Sequence, residues 1–241
     1  MKKLLLIFFV LISAAALHAQ FTINDPNAEV REAQNFHAIS VSNAFDVFVS
    51  QGNEEAVAVS ASEQKYRDNI VVEVKDGVLR VWFKNDGKFW RSFSGNKMKL
   101  KAYISFKNID KLSASGACDL HVSGTITADD FHLSLTGASD FKEGRINAKK
   151  LMVNTTGASD VNISGTATEL DVEATGASDF KGYDFAADYC NVRASGASSI
   201  KITVNKELSA HATGASDISY RGDGLIREIK TTGASNVSKR S

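Results

Sequence analysis

Five aspartates hold one position of a recurring pattern: Asp119, Asp140, Asp160, Asp179 and Asp217, with Ser199 and Asn236 at the same place in two further copies. A regular row of carboxylates admits three kinds of chemistry. Paired carboxylates carry out glycoside hydrolysis. Carboxylates beside backbone oxygens suit calcium, for which Asp140, Asp160 and Asp179 are the candidates. A purely structural row is the third: each Asp accepts hydrogen bonds from corner backbone N–H groups and from nearby Ser or Thr hydroxyls. Catalytic carboxylates are unequal residues in one cleft, whereas these are periodic. Ser199 and Asn236 also keep the hydrogen-bonding capacity without the charge. The expectation is therefore a structural ladder of Asp119, Asp140, Asp160, Asp179 and Asp217, with a calcium-stabilised scaffold and then a carbohydrate-active enzyme as alternatives. No catalytic or cofactor-binding residue is assigned. His37, His121, His132 and His211 show no metal-ligand spacing, and nucleophile-elbow, P-loop and CxxC motifs are absent.

The elements that position the row follow from the repeat. The motif Ser/Thr-Gly-Ala-Ser-Asp centres on Gly116, Gly137, Gly157, Gly176, Gly196, Gly214 and Gly233, at spacings of 21, 20, 19, 20, 18 and 19 residues. Four positions after each Gly stands an apolar residue (Leu120, Phe141, Val161, Phe180, Ile200, Ile218, Val237). Four before it stands another (Leu112, Leu133, Val153, Val172, Val192, Ala210, Ile229). Around these anchors apolar and polar residues alternate, as in Phe131-His132-Leu133-Ser134-Leu135, which is the period of a half-buried strand. A second set of glycines, Gly124, Gly144, Gly165, Gly182 and Gly222, punctuates many circuits. One circuit cannot bury its apolar face, but stacked circuits can. The pattern predicts an all-β, single-stranded parallel β-helix of about seven or more coils. The invariant Gly and Ala are expected at a corner too tight for larger side chains. Leucine-rich repeats, propeller blades and calcium-binding nonapeptide rolls fail on consensus or on period.

Residues 36–110 are β-rich but less regular, and read as an irregular β-hairpin cap. A cap is expected because an open β-helix end is an exposed sheet edge. Residues 70–74 and 78–83 predict a hairpin across Asp76-Gly77, and 98–106 another strand. Asn43-Ala44 with Asp46 reads as a degenerate motif copy. The polar segment 84–97 holds Phe89, Trp90, Arg91 and Phe93, either folded back onto the helix end or exposed as a recognition loop. Because the repeat rules are broken there, specific recognition is expected in this loop rather than in the motif.

Lys2, Lys3 and the apolar run 4–17, followed by Leu17-His18-Ala19, predict a signal peptide over residues 1–19. The run is too short for a spanning helix, and no membrane span is expected in the mature chain. The division is then 1–19 signal peptide, 20–35 extended lead-in, 36–110 cap and 111–241 repeat coils, with 36–241 one continuous domain. Removing the signal peptide takes away two lysines and leaves a net charge of −2, which gives no electrostatic reason for nucleic-acid binding. Cys118 and Cys190 are four copies apart, too far for a disulfide, and are expected as buried free thiols.

The signal peptide, Phe36-x-x-Ile39 followed by Asp46-Val47, and the reiterated motif resemble the autotransporter adhesin, head GIN domain, family of Gram-negative bacteria, common in Bacteroidota. The likeness covers residues 36–220. It implies a right-handed parallel β-helix and a location in the periplasm, at the outer surface or secreted. The chain departs from an autotransporter in leaving no room for a C-terminal outer-membrane barrel. The function expected is an exported, non-enzymatic binding or structural module. Its partner would be a glycan or an envelope or surface protein, and self-association into a homo-oligomer is open.

Overall fold

A computed structural model describes residues 23–84 and 98–240. It is an all-β parallel solenoid of about six turns. Strands β1 (Glu29–Arg31), β2 (Ala38–Asn43), β3 (Phe45–Gln51) and β4 (Ala56–Ser60) lead to one helical turn, α1 (Gln64–Arg67). Then come β5 (Ile70–Lys75), β6 (Val78–Phe83), β7 (Leu100–Phe106) and β8 (Lys111–Gly116). Five long strands make the coils: β9 (Asp119–Gly137), β10 (Asp140–Gly157), β11 (Asp160–Gly176), β12 (Asp179–Gly196) and β13 (Ser199–Gly214). The last circuit is β14 (Asp217–Arg221), β15 (Leu225–Gly233) and β16 (Asn236–Lys239). Each long strand starts at the Asp of one corner (Ser199 in β13) and ends on the Gly of the next, so only the intervening Ala-Ser pair lies outside the ladder.

Every long strand takes part in two parallel ladders. Its first half, after the Asp, stacks in a column whose inward residues are Val47, Leu120, Phe141, Val161, Phe180, Ile200, Ile218 and Val237. Its second half, before the Gly, stacks Ile39, Leu112, Leu133, Val153, Val172, Val192, Ala210 and Ile229. These are the positions four after and four before the glycine, and all but Val237 and Ile229 are fully buried. The core is thus continuous columns of like side chains, one per coil.

The corner explains its glycine. Gly157 has φ 96°, a left-handed conformation, and a Cβ there would lie 2.4 Å from the carbonyl oxygen of Gly137. That oxygen accepts a 2.7 Å hydrogen bond from the N–H of Ala158, so the corners of neighbouring coils are joined backbone to backbone. The expected steric reason for the alanine is not found: Ala138, Ala158, Ala177, Ala197 and Ala215 are exposed. The small buried residue is the next one, Ser139, Ser159, Ser178, Ser198 or Ser216. The structure gives no packing reason for the alanine. The second glycine set divides in two. Gly124, Gly165 and Gly222 have positive φ. Gly144 and Gly182 instead make room for large core rings, since a Cβ at either would meet Phe141 or Phe180 at 2.4 Å.

At the N-terminal end antiparallel strands cover both ladders. β4 lies against β7 and β1 against β4 on one side; β5 lies against β6 on the other. The β5–β6 hairpin turns through Asp76 and Gly77, both at positive φ, as its Asp-Gly dipeptide requires. Asn43 stacks on Gly116 at φ 86°, and its Oδ1 accepts a bond from the Phe83 N–H. The lead-in carries β1 and a nearly buried carboxylate, Asp25. That side chain is 10% exposed, 2.8 Å from the Tyr103 hydroxyl and 3.4 Å from Lys101 Nζ.

Candidate functional site

Asp119, Asp140, Asp160 and Asp179 stand one above another on the outer face of the first ladder, joined at its N-terminal end by Asp46, with Asp217 beyond Ser199. Adjacent strands lie about 4.8 Å apart, so like charges repel unless something intervenes. Two lysines intervene. Lys142 Nζ lies 2.6 Å from Asp140 and 3.3 Å from Asp119. Lys181 Nζ lies 3.0 Å from Asp160 and 3.9 Å from Asp179. Each lysine sits two residues after an Asp, which puts it on the same face of the strand. Hydrogen bonding to Asp140 and then Asp119 holds the Lys142 ammonium above its ordinary pKa, and Asp160 does the same for Lys181.

The motif hydroxyls were expected to donate to the aspartates, and they do not. Ser139 Oγ donates to the Thr136 carbonyl at 3.1 Å, Ser178 to Thr175 at 3.1 Å and Ser216 to Thr213 at 2.9 Å. A buried hydroxyl takes the nearest free carbonyl of its own corner, while the aspartates face outward. One corner N–H does reach the row, Asp160 N to Asp140 Oδ1 at 3.0 Å. Cys118 occupies the serine position of the first corner, with its Sγ 3.6 Å from the Ser115 carbonyl. Both cysteines are free and buried. Burial raises the Cys118 thiol pKa, and burial with Asp188 and Asp171 pushes Cys190 up to about 12. Among the described residues no three His, Cys, Asp or Glu side chains converge as metal ligands. Asp140, Asp160 and Asp179, the calcium candidates, face lysines.

Two features were missed in the sequence. One is a stack of three rings, one per coil: Tyr103, Phe48 and His121, with centroids 5.2 and 5.0 Å apart and planes within 15°. The rings present their faces to one another, which makes the stack a stabilising ladder rather than an open platform. The signal was the shared register of these residues, legible only once β7 was known to stack on β3.

The other is a depression of about 290 Å³ on the outer face of the second ladder, lined by Glu169, Asp171, Tyr189, Asn191, Glu207, Ser209 and Arg227. Tyr189 is 43% exposed, and it is the aromatic among the exposed large apolar residues described. Lys206 lies 5.5 Å from its ring centroid and 2.7 Å from Asp188. Lys150 approaches Glu169 at 3.6 Å and Asp171 at 3.7 Å. Asn191 Nδ2 donates to Asp171 at 2.9 Å, and Arg227 reaches Glu207 at 3.4 Å. An aromatic ring framed by amide, carboxylate and cationic groups can stack on an apolar ring face while pairing with hydroxyls at its rim. Phe89, Trp90, Arg91 and Phe93, the recognition loop expected from the sequence, lie outside the described residues, as does the signal peptide.

Fold and corner together define a class, the short-repeat parallel β-solenoid with polar corners. The chain belongs to the family described as "Putative auto-transporter adhesin, head GIN domain", matched over residues 35–224. In fold it resembles a putative adhesin from Bacteroides fragilis NCTC 9343, with 19% identity, a TM-score of 0.79, and 88% of this chain and 96% of that one covered. It also resembles a putative adhesin from Parabacteroides merdae ATCC 43184, with 17% identity, a TM-score of 0.67 and 89% and 95% covered. A putative lipid binding protein from Parabacteroides distasonis ATCC 8503 has 20% identity, a TM-score of 0.65 and 90% and 98% covered. No curated protein matches the chain in sequence. Among the described residues no helix is long and apolar enough to cross a membrane.

Proposed function

We propose that the chain is an exported binding module of the Gram-negative cell envelope or surface that holds a glycan against the face carrying Tyr189. The observation behind this is the half-exposed Tyr189 ring, set in a depression with Asp171, Asn191 and Glu207 around it. The outward rings of the first ladder, Tyr103 and Phe48, stack on one another, whereas the Tyr189 ring is left largely open among charged and amide side chains. Such a ring fits a ligand with alternating apolar and hydroxylated surfaces. Export is supported by the basic and apolar N-terminus and by membership of an adhesin-type family.

The test is a screen of the purified protein against envelope and host glycans, repeated with Tyr189→Ala. Loss of one stacking ring should weaken binding about tenfold or more, the equivalent of about 1.4 kcal/mol. Binding carried equally well by Tyr189→Ala, or release of sugar products on incubation, would sink this reading.

A further inference from the structure

The charges around the Tyr189 ring do not balance. Glu169 on β11 and Glu207 on β13 are its register neighbours, so a carboxylate stands on each side of it. Asp171, which accepts from Asn191, and Asp188, next to Tyr189 in the chain, bring two more. Three cations answer these four carboxylates. Lys206 Nζ lies 2.7 Å from Asp188, and Arg227 lies 3.4 Å from Glu207. Lys150 is spread between Glu169 at 3.6 Å and Asp171 at 3.7 Å. One carboxylate is therefore left over, in the Glu169–Asp171 pair that shares a single lysine at long range. Both side chains reach solvent, at 56% and 36% exposure. Toward the corner, Glu173 stands opposite Arg193, and Glu228 is taken by Lys230 and His211, so the charges of that row cancel.

We propose that the depression takes a ligand bearing a primary ammonium, which enters on the β11 side of Tyr189 and pairs with Glu169 and Asp171. On the glycan reading, on which this rests, the ligand is a glycan of 2-amino sugars whose nitrogens are not acetylated. A tyrosine ring attracts cations to its negative face. The chain itself uses this ring so: Lys206 Nζ, from the β13 side, lies 5.5 Å from the Tyr189 centroid while it pairs with Asp188. The ligand ammonium repeats that arrangement on the other side of the ring, with Glu169 and Asp171 in the place of Asp188.

The same charges exclude other glycans. N-acetylation removes the positive charge that the unmatched carboxylate calls for. A uronic acid brings a further carboxylate to a site that already has one in excess, and like charges brought together discriminate against the wrong partner. Neutral sugars keep the stacking on Tyr189 but gain nothing from Glu169 or Asp171 beyond hydrogen bonds.

Titration calorimetry on the purified protein, at a mildly acidic pH that protonates a sugar amine, compares glucosamine oligomers with N-acetylglucosamine oligomers of the same length. An oligogalacturonate and vesicles containing phosphatidylethanolamine, whose headgroup offers the same ammonium on a lipid, complete the set. The free-amine oligomer is expected to bind about tenfold or more tighter than the acetylated one, with an affinity that falls as salt is raised. Glu169→Gln should weaken the free-amine oligomer about tenfold and leave the acetylated one unchanged. Lys150→Met, which releases Glu169 and Asp171 from their shared lysine, should instead tighten the free-amine oligomer, whereas a variant that merely loosened the fold would weaken both. Equal affinity for the two oligomers, or indifference of the free-amine one to Glu169→Gln, overturns the proposal. The glycan reading survives that result as long as Tyr189→Ala still abolishes binding. Preference for the oligogalacturonate or for the vesicles overturns the proposal as well, and binding of no glycan at all removes both readings together.

Discussion

The corner glycines are the positions at which one added methyl group does most harm. At Gly157 an alanine would have to hold a left-handed φ and stand against the Gly137 carbonyl, which also accepts the Ala158 N–H. Gly157→Ala is expected to destabilise by about 1–3 kcal/mol, read as a lower denaturant midpoint. Asp25 is the other single residue with a measurable signature. Burial opposes its ionisation, but bonds from Tyr103, the Asn27 N–H and Ser60, with the charge of Lys101, outweigh it and hold its carboxyl below 3.8. A lowered folded-state pKa stabilises the fold above the unfolded value, and that contribution is lost as pH falls through the folded one. Asp25→Asn should thus cost about 1–2 kcal/mol at neutral pH. The difference from the natural protein should shrink below about pH 4 and vanish in stronger acid. A difference that did not shrink at all as the pH fell through the acid range would mean that packing, not charge, makes Asp25 matter.

At the scale of the element, the question is how a strand tolerates a carboxylate above and below its own. Lys142 and Lys181 each serve two coils, and both are partly exposed. Exposed pairs of this kind contribute about 0–1 kcal/mol, so their role is to cancel repulsion rather than to hold the coils together. Lys142→Met should lower the melting temperature by a degree or two in low salt. The deficit should close at about 1 M salt, where the Debye length falls to about 3 Å. A deficit independent of salt would show that the lysine acts through packing. The strands themselves are held by the columns: an inward Leu or Val lies between like residues of the coils on either side, and the end members Ile226 and Ile229 do not. The ladder positions were readable in the sequence because the period is regular. The lysine bridges were not, because Lys142 and Lys181 belong to the variable part of the circuit and are neighbours of Asp119 and Asp160 only across coils.

For the molecule as a whole, successive coils repeat one cross-section, so its outside is built of rows of side chains. The same geometry makes function a property of faces rather than of a cleft. Side chains at equal positions of successive coils present rows about 4.8 Å apart. The Tyr189 depression is a local departure from such rows, with Glu169 below the ring and Glu207 above it.

By itself the sequence determined the parallel stacking, the inward columns and the glycine corners, because each is set by residue type at a fixed spacing and the same spacing returns seven times. It also placed Asn43 at a corner and Asp76-Gly77 in a hairpin, since both rest on local backbone conformation. Tertiary structure alone decided which side chains meet across coils. Ser139 turns to the Thr136 carbonyl while Asp140 turns to Lys142. Tyr103, Phe48 and His121, up to 73 residues apart in the chain, become one stack. Tyr189 finds itself outside, beside residues of three other strands. The reason is physical: period fixes which face a residue takes, but its partners on that face come from strands about twenty residues away. Their register follows from the bulges and insertions of each circuit.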